Sequence, residues 1–397
     1  MIERTEYLNR LIAWKDKQII KVITGVRRCG KSTLMEMFQS YLLSNGVKSK
    51  QIVSINFEDL GTSHLRDPES LHSYIMDRLS VDTTTYVFLD EIQNVKDFET
   101  VVNSLFLKKN IDITITGSNA YFLSGELATY LSGRYITIEM LPLSFAEFVR
   151  NTGNKNDLNH KFTRYIKTSS FPYVSKLKGN QQEINEYLQG IYSTVILKDV
   201  VSRYNISDVM MLESILSFLF DNIGNQLSTK NISNSMLSAG RKVDVKTVEK
   251  YISALMNSYI LYKAKRYDIK GKQYLKTLDK YYSVDIGIRS LLLGKRNLEL
   301  GHILENIVYL ELLRRNFRVF VGKVDNTEVN FVALNSKSII YYQVTASVRD
   351  EKTLRRELLS LQKIPDHYPK YILTLDDDPN EDFSGIKKIN VLDWLVP

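Results

Sequence analysis

The sequence predicts an α/β protein that begins with a mostly parallel sheet carrying helices on both faces. In the first third of the chain, short apolar runs alternate with helical patterns, which is typical of β-α units. The pattern then changes twice, first to a mainly helical stretch and then to a second, smaller α/β stretch. Because the chain has 397 residues and single cores rarely exceed roughly 250 to 300, we expect several domains.

The strand candidates of the first region are short apolar runs at residues 19–24, 52–57, 86–89 and 111–116. Each run ends at a polar residue or a glycine, where a loop can begin. In a parallel sheet the carboxyl ends of such strands share one edge, and ligands of open α/β sheets bind at that edge. The residues that carry chemistry are therefore expected directly after these runs.

A phosphate-binding loop follows the first run, where GVRRCGKS at residues 25–32 has the spacing G-x4-G-K-S and precedes a helical pattern. Glycines let successive N–H groups point at phosphate oxygens, and the following helix adds the positive end of its dipole. Lys31 is expected to bind the β- and γ-phosphates of ATP, and Ser32 to ligate Mg²⁺. Arg27 and Arg28 either contact the nucleotide or line the outside of the loop. The predicted nucleotide-binding residues are Gly25, Arg28, Cys29, Gly30, Lys31, Ser32 and Thr33.

Two acids end the third run, at YVFLDE over residues 86–91. In a chain that already carries a phosphate loop, this pattern predicts that Asp90 holds Mg²⁺ through water and that Glu91 is the general base for the attacking water. The alternative interpretation is a strand that runs into a solvated acidic turn. With the loop, the acids predict a P-loop NTPase sheet.

Further site candidates follow the fourth run. Ser118 and Asn119 are candidates for sensing the γ-phosphate or orienting the water, although both residue types are common in ordinary turns. Arg134 is a candidate for stabilising transition-state charge, in its own subunit or in a neighbour, with a surface ion pair as the alternative. The predicted catalytic residues are Lys31, Glu91, Asn119 and Arg134, and the predicted Mg²⁺ ligands are Ser32 and Asp90.

The middle of the chain has the element order of a winged-helix domain, which is three short helices and then a hairpin. A polar surface connection at residues 151–158 marks an earlier boundary, and the winged-helix pattern runs from about residue 208 to 275. The patterns in order are helices at 209–222, after Ser228 and at 245–259, and strand-like runs at 260–267 and 273–275.

The positive charge of the chain is concentrated in this middle region. The whole chain has a formal net charge of +8, and residues 241–300 alone hold 14 Lys and Arg against 6 Asp and Glu, a net charge of the same size. Lys242, Lys246 and Lys250 share one helical face at spacings of four. Further basic residues in the presumed wing are Lys263, Lys265, Arg266, Lys270 and Lys272. This distribution favours DNA as a partner, with a protein-interaction module or a lid as alternatives.

The motifs together resemble a group of bacterial and archaeal ATP-binding proteins of the AAA superfamily, almost from end to end. The matching segments are GVRRCGKST at 25–33, NFED at 56–59, FLDE at 88–91, TGSN at 116–119, SGR at 132–134 and LPLSFAEF at 141–148, with weaker matches SFPY at 170–173, LKDVVSRY at 197–204 and KYYSVDIG at 280–287. The resemblance implies a P-loop ATPase domain at 1–150, a helical connector at 151–204, a winged-helix domain at 205–300 and a restriction-endonuclease-like domain at 301–397.

The last region predicts a smaller α/β unit, with helices at 304–315 and 351–362 and strands at 318–321, 328–333 and 339–344. A nuclease of the implied class needs a helix carboxylate, an Asp on one strand, and a Glu and a Lys two residues apart on the next. Glu305 suits the helix position, but the other positions hold Asn330, Gln343 and Thr345. We therefore expect no working metal site there, with Glu305 and Glu328 as structural or surface acids.

The leading hypothesis is a Mg²⁺-dependent ATPase whose nucleotide state switches how the later regions engage a partner, with DNA favoured. The competing hypotheses are an ATP-driven structure-specific nuclease and an ATP-binding scaffold for a protein partner. A homo-oligomer is a further option that the sequence leaves open. A single cysteine, Cys29, excludes an internal disulfide, and no secretory signal or run of about 18 apolar residues is present, so we expect a cytoplasmic protein without membrane contact.

Overall fold

The computed structural model describes residues 2–120, 131, 133–153, 157–177, 179–275, 278–294 and 299–396. The chain divides into two compact units. The N-terminal unit comprises Met1–Pro142 together with Asn257–Tyr259, and the C-terminal unit comprises Leu143–Met256 and Ile260–Pro397. Within the described ranges, no helix is both long and apolar enough to span a membrane.

A parallel sheet forms the centre of the N-terminal unit. Its strands are β1 (Ile20–Thr24), β2 (Ile52–Asn56), β3 (Thr85–Asp90), β4 (Ile111–Gly117) and β5 (Tyr135–Glu139). They lie in the order β2-β3-β4-β1-β5, and every neighbouring pair is parallel. The four strands predicted from the sequence are confirmed, and β5 is an additional strand that the sequence analysis missed.

Helices cover both faces of this sheet, as predicted. They are α1 (Thr5–Ala13), α2 (Lys31–Ser44), α3 (Pro68–Met76) and α4 (Phe98–Phe106). Val87 and Leu89 of β3 belong to an apolar cluster with residues of α3 and α4, whereas Phe88 packs edge-on against Phe38 of α2. Since successive side chains of a strand point to opposite faces, α2 lies on the face away from α3 and α4.

The C-terminal unit begins with helices and a small antiparallel sheet. The elements are α5 (Phe145–Asn151), α6 (Leu158–Lys167), α7 (Gln181–Thr194), a π-helix (Val195–Ser202), α8 (Val209–Asp221), β6 (Gln226–Leu227), α9 (Thr229–Ser238), α10 (Val245–Asn257), β7 (Leu261–Ala264), β8 (Arg266–Asp268), β9 (Gln273–Tyr274), β10 (Asp279–Ser283) and α11 (Ile286–Leu293). The antiparallel sheet has the order β6-β10-β7. The three helices predicted between residues 209 and 259 are confirmed.

A second, mixed sheet forms the rest of the C-terminal unit. Its elements are α12 (Leu300–Arg314), β11 (Arg318–Val324), β12 (Thr327–Leu334), β13 (Ile339–Val344), α13 (Glu351–Gln362), β14 (Lys370–Thr374), β15 (Glu381–Phe383), β16 (Ile386–Asn390) and α14 (Val391–Leu395). The strand order is β15-β16-β14-β13-β12-β11-β8-β9. The predicted helices and strands of this region are confirmed, and the elements from β14 onward were not predicted.

The presumed wing needs a correction, because its strand-like runs do not form one free hairpin. The run at 260–267 is divided into β7 and β8, which belong to different sheets. β7 pairs with β10, while β8 pairs with β9 and, in parallel, with β11. β8 and β9 are thus the last two strands at one edge of the mixed sheet.

Candidate functional site

The phosphate loop joins β1 to α2 at the carboxyl edge of the parallel sheet. Gly25 has a φ of 138°, and a Cβ there would lie 2.1 Å from the carbonyl oxygen of Met140, so a larger residue cannot be accommodated. Gly30 has a φ of 107° and is the N-cap of α2. Both positions require glycine, as the motif predicts.

Lys31 starts α2 and is almost entirely buried. Its ammonium donates a hydrogen bond to the carbonyl oxygen of Gly25 at 3.1 Å and lies 3.6 Å from Oε1 of Glu91. The charge is therefore held between the loop and the acid that follows β3. An anion entering the loop would meet this ammonium directly.

The other predicted loop residues differ in exposure. Arg28 is exposed at the tip of the loop with a φ of 65°, and Arg27 forms an ion pair with Glu58 at 3.2 Å. Cys29 is fully buried, and this burial raises the pKa of its thiol, so its side chain is a packing group. Ser32 and Thr33 lie on the first turn of α2, where Ser32 is exposed.

Asp90 is the last residue of β3 and is 7% exposed. The hydroxyl of Thr116, on the neighbouring strand β4, donates a hydrogen bond to its Oδ1 at 2.5 Å. Burial raises the pKa of the Asp90 carboxyl, against hydrogen bonds from Ser32 and Thr116 and the charge of Lys31. The carboxylate thus lies beside the hydroxyl of Ser32, the other predicted Mg²⁺ ligand.

Glu91 follows in the left-handed region, with a φ of 53°, which turns its side chain back toward the phosphate loop. Burial alone would raise its pKa, but the ammonium of Lys31 and the amide of Gln93 outweigh burial and lower the pKa of Glu91. Its side chain is therefore held as the carboxylate, which is the form that a general base needs.

Thr116 is a residue whose role the sequence analysis missed. Its Oγ1 accepts a hydrogen bond from the backbone N–H of Glu91 at 2.9 Å and donates to Asp90. One buried hydroxyl therefore fixes both acids relative to each other. Its place in the sheet explains this, since β4 lies between β1 and β3.

Asn119 and Ser118 follow β4 and are both 1% exposed. The amide Nδ2 of Asn119 lies 3.4 Å from the hydroxyl of Ser258, within the tripeptide Asn257–Tyr259 that belongs to the N-terminal unit. Tyr259 is also buried and has a φ of 58°. No local sequence pattern signals this contact, because residues 119 and 258 are far apart in the chain.

A buried arginine near the N-terminus anchors the phosphate loop. Arg4 is 2% exposed and donates hydrogen bonds to the carbonyl oxygens of Cys29 at 2.9 Å and Leu141 at 2.6 Å. Its guanidinium also lies 4.9 Å from the ring centroid of Tyr7. Arg4 thus ties the loop to the segment that follows β5, a role that the sequence analysis did not identify.

Arg134 lies at the amino edge of the sheet, away from the phosphate loop of its own chain. Its carbonyl oxygen accepts a hydrogen bond from the N–H of Ile20, the first residue of β1, and the loop begins only after Thr24, about 13 Å further along the strand. The guanidinium donates to Asn103 and lies 5.4 Å from the centroid of the Phe106 ring. The structure therefore does not bring Arg134 to the phosphate loop of its own chain, and Ser132 of the same motif lies outside the described residues.

The donor set fits a magnesium nucleotide. A glycine-built turn at a helix N-terminus and a buried ammonium suit phosphate oxygens, while a carboxylate and a hydroxyl suit a hard cation. These groups meet at one edge of the sheet, next to a second, ionised carboxylate.

The basic residues of the middle region are partly used within the C-terminal unit. Lys242, Lys246 and Lys250 are exposed, on or just before α10. Three others have carboxylate partners: Lys263 with Asp279, Lys270 with Asp325, and Lys280 with Glu305 and Glu328. The net charge of this region therefore overstates the charge that its surface offers to a polyanion.

A family model described as an AAA domain matches residues 17–149, and one described as a domain of unknown function (DUF8612) matches residues 159–299. An uncharacterized protein of Haemophilus influenzae is 39% identical over 100% of this chain and 99% of its own length. An uncharacterized protein of Methanocaldococcus jannaschii is 30% identical over 94% of this chain and 85% of its own length.

Among solved structures, a Walker-type ATPase of Pyrococcus abyssi matches with a TM-score of 0.52 and 14% identity, over 74% of this chain and 96% of that chain. At this identity the likeness concerns the fold. It agrees with the α/β fold of this chain.

Proposed function

We propose that this chain is a Mg²⁺-dependent ATPase that acts as a switch. It belongs to the family of the Haemophilus influenzae and Methanocaldococcus jannaschii relatives, and the AAA-domain model matches its residues 17–149. The observation that carries the proposal is the meeting of Lys31, Asp90 and Glu91 at one sheet edge, with Thr116 bonded to both acids.

Each residue has a chemical role in this proposal. Lys31 leaves its loop carbonyl to bind the β- and γ-phosphates, and the loop N–H groups bind the remaining phosphate oxygens. Asp90 and Ser32 would hold Mg²⁺, which neutralises charge on the phosphates. Glu91 accepts a proton from the attacking water, and its lowered pKa keeps it ready to do so.

The proposed switch starts at Asn119. Its amide is placed after β4, where it would respond to the γ-phosphate, and it also contacts Ser258. Ser258 directly follows α10, the helix that carries Lys246 and Lys250. A shift of Asn119 on hydrolysis would therefore move Ser258 and, through the chain, the C-terminal end of α10.

The proposed partner is DNA, bound by a winged-helix module. Support comes from the element order α8-β6-α9-α10-β7-β10 with the sheet order β6-β10-β7, and from the exposed lysines on α10. Phosphate contacts from these lysines would make the affinity strongly salt-dependent. The predicted wing contributes less to DNA binding than the sequence suggests, since Lys263 and Lys270 have carboxylate partners.

Nucleotide binding and hydrolysis by purified variants test the ATPase proposal. Lys31→Ala should abolish ATP binding. Glu91→Gln should retain binding and lose turnover by roughly 100- to 10,000-fold, the usual contribution of a general base. Glu36→Gln removes an exposed carboxylate from α2 and serves as the control that should behave as wild type. A Glu91→Gln variant with wild-type turnover would exclude Glu91 as the base.

A further inference from the structure

A buried lysine lies at the centre of a polar cluster in the C-terminal unit. Lys280 of β10 is 3% exposed, and its ammonium lies 2.9 Å from Oε1 of Glu305 on α12 and 2.5 Å from Oε1 of Glu328 on β12. The hydroxyl of Tyr282 donates to the same Glu305 oxygen at 2.7 Å, and Gln226 of β6 donates to Glu328. Elements of the antiparallel sheet and of the mixed sheet therefore meet around one positive charge.

The two glutamates keep this lysine charged. Burial by itself lowers the pKa of Lys280, but the charges of Glu305 and Glu328 outweigh burial and raise the pKa. A buried charge is tolerated only when paired and hydrogen-bonded, and both conditions hold here.

The amide of Asn330 completes the hydrogen bonding of Glu305, and Gln343 holds Asn330 in place. Nδ2 of Asn330 donates to Oε2 of Glu305 at 2.9 Å, while its Oδ1 accepts from the N–H of Val344 at 3.0 Å. Gln343 accepts from the N–H of Asn330 at 2.6 Å and donates to Glu357 at 2.7 Å. Both oxygens of Glu305 are thus occupied by donors, and the polar atoms that face them carry protons rather than lone pairs.

We propose that Lys280 is the resident cation of this site, so that its ammonium takes the place that a divalent ion would need beside Glu305 and Glu328. The cluster then binds no free metal ion and serves as a clasp between β6 and β10 of the antiparallel sheet and α12 and β12 of the mixed-sheet region. This inference does not depend on the ATPase proposal, since none of its residues lies in the N-terminal unit.

Terbium binding to the nucleotide-free full chain tests the proposal. Tyr282 lies next to Glu305, so an ion bound there would be excited through tyrosine. Lys280→Ala should gain a saturable tyrosine-sensitised emission above the level of the wild type, and the added Glu305→Gln substitution should remove this gain. Lys263→Ala, which removes a more exposed ammonium from the paired strand β7, is the matched control and should gain no emission.

Two outcomes would overturn the proposal. One is wild-type emission that Glu305→Gln abolishes, because the site would then already accept an ion beside Lys280. The other is a folded Lys280→Ala protein that gains no emission. If Lys280→Ala fails to fold, Lys280→Met takes its place, because methionine retains the aliphatic volume. The terbium emission of wild type and of Glu305→Gln still shows whether the unaltered site accepts an ion.

Discussion

A single hydroxyl sets the geometry of the two acids at the candidate active site. Thr116 is fully buried, and its Oγ1 bonds to both the carboxylate of Asp90 and the N–H of Glu91. Removing a partner from buried polar groups costs about 1–3 kcal/mol for each group left unpaired. The position of Glu91, which has a left-handed backbone, depends on this bond.

Thr116→Val should therefore reduce ATP turnover by about tenfold or more while leaving a folded protein, because the side-chain shape is kept and only the hydroxyl is lost. Steady-state ATPase assays and thermal unfolding measure the two effects. Thr114→Val is the matched control, since Thr114 is fully buried on the same strand and its hydroxyl has no hydrogen-bond partner in the described part of the chain. Equal turnover in the two variants would contradict the role given to Thr116.

Ser258→Ala should affect coupling rather than chemistry. The substitution removes the hydroxyl that faces the amide of Asn119 and leaves Lys31, Asp90 and Glu91 untouched. ATP binding should stay near the wild-type level, whereas the difference in DNA affinity between the ATP- and ADP-bound protein should shrink. Fluorescence anisotropy in each nucleotide state measures this difference, and an unchanged difference would remove Ser258 from the proposed switch.

Local sequence patterns predict strands that are buried along their whole length. They fail for strands whose position depends on pairing with residues far away in the chain. β1, β3 and β4 are buried on every residue and read as apolar runs, whereas β5 is only partly buried and was missed. The run at 260–267 was interpreted as one strand, but β8 pairs with β11 rather than continuing β7. Arg4 and Thr116 were missed because their partners are set by tertiary contacts.

The anchor between α1 and the phosphate loop predicts an effect of Arg4 on nucleotide binding. Arg4→Met should weaken ATP binding and lower the melting temperature, because the carbonyl oxygens of Cys29 and Leu141 lose a charged donor. Arg4→Lys should recover only part of the ATP affinity and of the melting temperature, since an ammonium lacks the planar fork that reaches several carbonyls. Isothermal titration and thermal unfolding measure the two quantities. Full recovery by lysine would show that charge alone matters.

The exposed lysines of α10 and the carboxylate-paired Lys270 predict unequal effects on the proposed DNA binding. Lys246→Glu and Lys250→Glu should each weaken binding and reduce its salt dependence, because both lysines are exposed on one helical face. Lys270→Glu should have a smaller effect, since Lys270 already lies 2.7 Å from Asp325. Fluorescence anisotropy titrations of DNA with each variant at two salt concentrations measure these affinities and their salt dependence. Binding that is absent or insensitive to salt in the wild type would favour a protein partner over DNA.

At the scale of the whole molecule, Arg134 is a catalytic candidate whose position suits a nucleotide of a neighbouring subunit, since an arginine on the transferred phosphoryl group can come from another chain. Arg134 lies at the amino edge of the parallel sheet, opposite Ile20, whereas Lys31 and Glu91 lie at the carboxyl edge. An arginine so placed reaches a nucleotide only if that nucleotide belongs to another copy of the chain. The position thus favours a homo-oligomer in which each site combines two subunits.

Mixing two inactive variants tests this arrangement. Arg134→Ala and Glu91→Gln should each bind ATP and lose turnover, but a mixture should regain activity, because an interface that pairs Glu91 of one subunit with Arg134 of the other is intact. Arg134 also contacts Asn103 and Phe106, so a purely structural role would lower the melting temperature of Arg134→Ala without any recovery on mixing. Steady-state ATPase rates of the mixture, compared with each variant alone at the same total concentration, therefore separate catalysis across a subunit interface from packing within one subunit.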